Sequence, residues 1–149
     1  MPYVESSIDI KASKEDVYEL AKDMEKFPDF MQDVKEVKLV KREKDKTVTE
    51  WVTDLDGIPI SWTEEEEFDE EICLIKYKLI EGDLDKFEGV WKFEKISEGT
   101  KVTLTVDFDL GMPNLEELLG PVSELKVREN SQMMLEGMKN KMEKSRAAN

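Results

Sequence analysis

The sequence predicts an α+β fold: a seven-stranded curved antiparallel sheet wrapped around a long C-terminal helix, with two small helices between strands 1 and 2. Three observations lead there. From Val34 to Leu110, six segments have strand character and short turns separate them. After Gly111-Met112-Pro113 the apolar spacing changes to three and four residues. Ahead of both, one alternating segment is followed by a short helical one. Strands joined by short turns pair antiparallel. A sheet of this kind must cover one face, and the last helix is the only element large enough to do it.

The elements follow in order. Tyr3 to Ile10 alternates, with Val4, Ile8 and Ile10 on one face. Ser13 reads as a helix N-cap, with Glu15 and Asp16 in the first turn where the helix dipole favours negative charge. Val17, Leu20, Ala21 and Met24 then recur at helical spacing. Phe27-Pro28 ends that helix, because the residue before proline disfavours helical geometry. A short helical turn is expected from Asp29 to Gln32. The strands expected next are Val34–Arg42, Lys46–Asp54, Ile58–Phe68, Ile72–Ile80, Phe87–Ile96 and Lys101–Leu110. Leu115, Leu118, Leu119, Val122 and Leu125 are helical in spacing, as are Met134, Leu135, Met138 and Met142. Gly120-Pro121 divides the two sets, so a short helix precedes a long one running from about Pro121 to Glu143, with Arg146 to Asn149 frayed. No repeat or linker interrupts residues 1–149, which are read as one domain.

Period two sorts the strand side chains by face. One face carries Ile58, Ile60, Trp62, Glu64, Glu66 and Phe68, then Cys73, Ile75, Tyr77 and Leu79. It continues with Phe87, Gly89, Trp91 and Phe93, then Val102, Leu104, Val106 and Phe108. The opposite face is mostly Lys, Glu, Thr and Asp, and Asp107 and Asp109 fall there. Two readings of the aromatic face are open, a filled core or the wall of a cavity. Methionine on the covering helix favours the second, because its flexible thioether adapts to varied apolar shapes. On that reading Ile60, Trp62, Ile75, Tyr77, Trp91, Phe93, Val106, Phe108, Met134 and Met138 line one cavity. Trp51 is added to them, although its strand lacks clean alternation.

Composition removes several function classes. Acidic residues outnumber basic ones, 36 to 22, for a net charge of −14. That charge repels phosphate backbones and anionic bilayers, so neither nucleic acid nor stable membrane association is expected. The opening Met1-Pro2-Tyr3-Val4-Glu5 has no leader pattern, and no apolar run approaches the roughly 20 residues that span a bilayer. A single cysteine fits a reducing, cytoplasmic setting. A weak homodimer is compatible with this composition. The absence of histidine removes the commonest general base and most zinc sites. No phosphate loop or dinucleotide fingerprint is present, and neither a cofactor nor a metal is expected. Cys73 reads as a structural thiol, since no base is evident beside it. The candidates left for acid–base work are Glu64 and Tyr77. A glutamate in an apolar pocket would have a raised pKa and could move protons. The favoured reading of Glu64 and Glu66 is instead a strand end reaching solvent. Tyr77 could donate to a ligand carbonyl or simply to backbone.

The segment Ile10-Lys11-Ala12-Ser13-Lys14-Glu15-Asp16-Val17-Tyr18-Glu19-Leu20, followed by Asp23-Met24-Glu25-Lys26-Phe27-Pro28, resembles the opening of the polyketide cyclase/dehydrase and coenzyme-Q-binding proteins, within the StAR-related lipid-transfer superfamily. Asp56-Gly57 with Ser61-Trp62, Glu81-Gly82, Gly89-Val90-Trp91-Lys92-Phe93 and Gly99-Thr100-Lys101-Val102 continue the likeness in order along nearly the whole chain. The resemblance implies a helix-grip fold with a cavity between sheet and C-terminal helix. It implies no single activity, since relatives include aromatase/cyclases, quinone binders, lipid carriers and a toxin that acts on ribosomes. The leading expectation is a non-enzymatic binder or carrier of a lipid-, quinone- or polyketide-like molecule. A cyclase or dehydrase using the same cavity comes second, and a protein-interaction role third.

Overall fold

The computed structural model describes residues 3–55, 57–109 and 123–148. Its strands are β1 (Tyr3–Ile10), β2 (Val34–Arg42), β3 (Lys46–Leu55), β4 (Ile58–Asp69), β5 (Leu74–Gly82), β6 (Lys86–Ile96) and β7 (Gly99–Asp109). Helix α1 (Lys14–Lys22) and a 3-10 helix (Met24–Asp29) lie between β1 and β2, and helix α2 (Ser123–Ala148) follows β7. The seven strands form one antiparallel sheet in the order β1-β7-β6-β5-β4-β3-β2. Chain neighbours are sheet neighbours from β2 to β7, as short turns require, and β1 closes against β7. This is the helix-grip fold expected from the sequence.

Local chemistry explains the boundaries. Ser13 Oγ accepts from the Asp16 amide at 3.2 Å and caps α1. The helix stops at Lys22, two residues short of Met24, because Asp23 turns out of helical geometry at ψ 63°. The second helical segment expected at Asp29–Gln32 is corrected to Met24–Asp29, a 3-10 helix with Pro28 inside it. Its tighter winding turns Phe27 fully into the core. The strand expected from Ile72 begins at Leu74, since Cys73 takes a left-handed φ of 52° that cannot pair in a ladder. The expected short helix near Leu115 and the start at Pro121 lie outside the described residues. At its far end α2 runs to Ala148, past the expected stop at Glu143. No glycine or proline follows Glu143 to end it.

Helix α2 lies across β1 and the inner face of the sheet. The Arg128 guanidinium donates to the Glu5 carbonyl at 3.2 Å, and Lys139 Nζ to the Asp9 carbonyl at 2.9 Å. Glu143 Oε2 accepts from the Lys11 amide at 3.1 Å. At the other end of the sheet, β2 pairs with β3 through two register shifts, at Val34/Glu36 and Leu39/Lys41. Leu135 and Met138 of α2 are fully buried. Gly137 brings the helix so close to the 3-10 segment that a Cβ there would collide with the Phe30 carbonyl oxygen. Alanine would gain about 1 kcal/mol in helix propensity. Overpacking against rigid backbone costs about 1–3 kcal/mol. Gly137→Ala is therefore expected to lower stability by up to about 2 kcal/mol in urea unfolding. A stabilised variant would mean that α2 is free to move off the sheet.

Candidate functional site

Between the inner sheet face and α2 lies a cavity of about 60 Å³. Of the sequence candidates, Trp51, Ile60, Trp62, Tyr77, Trp91, Val106, Phe108 and Met134 line it. Ile75, Phe93 and Met138 are buried but sit apart from it in the packed core. Phe93 meets the edge of Tyr18 from α1, at 5.5 Å between ring centres, so α1 fills the space that parity alone assigned to the cavity. Thr53, Glu64, Leu84, Phe87, Leu104, Val127, Asn130 and Ser131 complete the described lining. Stepping back by three and four from Met134 reaches Ser131, Asn130 and Val127, so helical spacing already pointed to these three.

The wall is built on cross-strand register. Trp51 and Trp62 sit directly opposite each other on β3 and β4, and their rings stack at 5.6 Å with 8° between planes. Phe87 tilts against Trp62 at 4.8 Å and against Tyr77 at 5.5 Å. Phe27 packs behind Trp51 and Trp91, at 5.7 and 5.9 Å.

A polar network lies beside these rings. Glu64 and Glu66 are buried, at 3% and 0% exposure, which corrects the expected solvent-reaching strand end. The reason is β3, which places Thr49 opposite Glu64 and Thr47 opposite Glu66 and so brings donors to the acids. Glu66 accepts from the hydroxyls of Thr47 at 2.7 Å and Thr49 at 2.6 Å. Thr49 in turn accepts from Trp51 Nε1 at 2.7 Å. Glu64 Oε1 accepts from Trp62 Nε1 at 2.7 Å. Burial, and then the neighbouring Glu66 carboxyl group, push Glu64 well above the usual carboxylate range, which the Trp62 indole only partly opposes. Burial in an apolar wall thus favours the neutral form of the Glu64 carboxyl group over the charged one.

Tyr77 is held by an irregularity in the sheet. Its hydroxyl donates to the Thr105 carbonyl at 2.6 Å. Pairing of β6 with β7 is interrupted at Gly89 and Val90, where the Val90 amide donates to Thr105 Oγ1 at 2.9 Å. Gly89 makes this arrangement possible, since a Cβ there would collide with the Thr105 carbonyl oxygen and stand 2.8 Å from the Tyr77 hydroxyl. Burial, followed by nearby Glu64, raises the Tyr77 phenol well above its ordinary value, so it stays protonated. Asp107, expected on the solvated face, is half-exposed and pairs with Lys86 at 3.1 Å.

Asp33, just before β2, is a further buried acid at 3% exposure. Neither of its carboxyl oxygens has a hydrogen-bond partner in good geometry among the described residues. Burial raises its pKa to about 6, moderated by its own backbone, Lys35 and Asn130 of α2. No period or motif marked this residue.

Comparison with known proteins gives a consistent placement. A crystal structure of TTHA0849 from Thermus thermophilus superimposes with a TM-score of 0.90 at 34% identity, over 97% of this chain and 99% of that one. The Zhui aromatase/cyclase from Streptomyces sp. R1128 matches at 0.85 and 20% identity, over 95% and 93% of the two chains. A candidate polyketide cyclase of Streptomyces cyaneus is 26% identical over 140 residues, 85% of this chain and 91% of that protein. Residues 10–135 match the family described as polyketide cyclase / dehydrase and lipid transport. With that match spanning most of the sequence and the sheet–helix cavity in place, the chain belongs to the polyketide cyclase/dehydrase and lipid transport family.

Proposed function

We propose that the chain binds a hydrophobic small molecule, lipid-, quinone- or polyketide-like, between the sheet and α2, as a carrier or binding protein. The observation that supports this reading is the aromatic-lined cavity itself, closed by α2 and walled by three tryptophans and two phenylalanines. The volume sets a condition. Ligand sites usually span about 300–1,000 Å³, against about 60 Å³ here. A polyketide-sized ligand therefore enters only if lining side chains move. Met134 is unbranched and Phe87 half-buried, so these two can yield at low cost.

A second reading is a cyclase or dehydrase acting on a ligand in the same cavity. The buried carboxyl of Glu64, raised well above the usual carboxylate range, favours it, because a group that can exchange a proton with an enolic ligand beside an apolar pocket is what acid–base chemistry requires. The aromatase/cyclase among the similar structures fits this reading as well as the first.

Titration with naphthalene tests the binding reading. A saturable change in tryptophan fluorescence is expected, since Trp51, Trp62 and Trp91 all line the cavity. Ser131→Leu, which fills the cavity from α2, should abolish the change while the far-ultraviolet spectrum stays native. No saturable response in the unmodified protein would show the interior to be a filled core and would sink both readings. Where a saturable response is seen, native mass spectrometry of protein purified from its own host names the ligand class.

A further inference from the structure

The hydrogens on the polar side of the cavity can be accounted for one by one. The Trp51 indole N–H goes to Thr49, and the Thr49 and Thr47 hydroxyls go to Glu66. The Trp62 indole N–H goes to Glu64, and the Tyr77 hydroxyl to the Thr105 carbonyl. The proton on Glu64 has the Glu66 carboxyl group within hydrogen-bonding reach. Each of these donors among the described residues is spent on protein.

What remains toward the cavity is lone pairs. Glu64 and Tyr77 both line it. A carboxyl oxygen that accepts one N–H retains accepting capacity, and a phenol oxygen that donates its hydrogen can still accept. A ligand oxygen that can only accept meets lone pairs here and loses its water without replacement, which is costly in an apolar setting. A carboxylate fares worse, since the described lining holds no lysine or arginine. The cavity's other polar side chains, Thr53, Asn130 and Ser131, both donate and accept and so do not discriminate.

We infer that the Glu64–Tyr77 wall selects a neutral aromatic hydroxyl compound, a phenol or enol whose O–H donates to Glu64, over ethers, simple ketones and carboxylates of the same shape. The inference rests on ligand binding in this cavity and narrows its ligand class. It separates phenolic or enolic aromatics from fatty acids and from quinones, two of the chemistries that an apolar cavity alone would admit.

The test uses four probes of one ring system: 2-naphthol, naphthalene, 2-methoxynaphthalene and 2-naphthoate. Calorimetric titration of the unmodified protein should show 2-naphthol binding about tenfold tighter than 2-methoxynaphthalene, the value of one good hydrogen bond. Binding of 2-naphthoate should be weaker still. Glu64→Gln keeps an oxygen for Trp62 and a donor for Glu66, so the preference should survive. Glu64→Met removes the acceptor, and the ratio should fall toward one. If Glu64→Met fails to fold, the unmodified protein and Glu64→Gln decide the matter alone. Equal or tighter binding of 2-methoxynaphthalene to the unmodified protein would overturn the inference while leaving the cavity reading intact. Failure of all four probes, naphthalene included, would remove both.

Discussion

Asp33→Asn is expected to stabilise the protein at neutral pH by up to about 3 kcal/mol. The figure follows from the pKa of Asp33, raised from 3.8 to about 6, with each tenfold change in an acidity constant worth about 1.4 kcal/mol. The sign is fixed by linkage. Unfolded Asp33 loses its proton near pH 4, while folded Asp33 holds it to about pH 6. Between those values the folded state binds more protons, so stability falls as pH rises through the window. Glu64, also raised by burial, acts in the same direction. The unmodified protein should therefore be more stable near pH 4.5 than at pH 7, unlike proteins whose carboxylates are held by cations. Asparagine at 33 flattens the profile, and Glu64→Gln flattens it further. Thermal unfolding across this range checks both, and a stability that rises from pH 4.5 to 7 would refute the assignment.

Phe27→Ala should be the most damaging single truncation outside the sheet. Phe27 has no exposed surface and packs on Phe30, Trp51 and Trp91 within 6 Å between ring centres. Removing a buried phenylalanine costs about 3–5 kcal/mol through lost transfer energy and the void left behind. In a chain of this size that lowers the melting temperature by roughly 10–15 °C. Two of its neighbours line the cavity, so the void should merge with it and admit larger apolar probes. A loss below about 1 kcal/mol would mean that the 3-10 helix is not part of the core.

The sheet was legible because its signal is local. Alternation along β4 to β7 placed Trp62, Tyr77, Trp91, Val106 and Phe108 on one face, and that is the face α2 covers. Alternation also puts Glu64 and Glu66 inside, whereas the reading of a strand end reaching solvent fails against their burial. Their burial depends on Thr47 and Thr49, residues on another strand whose contribution appears only once the β3–β4 register is known. The same holds for Phe93, which parity sent to the cavity and α1 claimed through Tyr18. Leu84 lies between β5 and β6, where no period operates. Asp33 could not have been read at all, since it lies outside any strand or helix and its neighbours Asp54 and Asn130 come from β3 and α2. Sequence periodicity assigns a side chain to a face, and the partner that faces it is decided by tertiary register.

An open sheet has two edges whose unpaired amides and carbonyls can recruit a strand from another molecule. Here the β1 edge is clamped by Arg128 and Lys139, which occupy the Glu5 and Asp9 carbonyls from α2. The β2 edge is broken by two register shifts and carries exposed Lys35, Lys38, Lys41 and Arg42. Shifts and lysines of this kind keep an edge from docking flat against a neighbour. Among the described residues, neither sheet edge thus offers a straight template for fibre growth. Insoluble material should arise only from chains that have first released α2, so its rate should follow the unfolding rate rather than the concentration of folded protein.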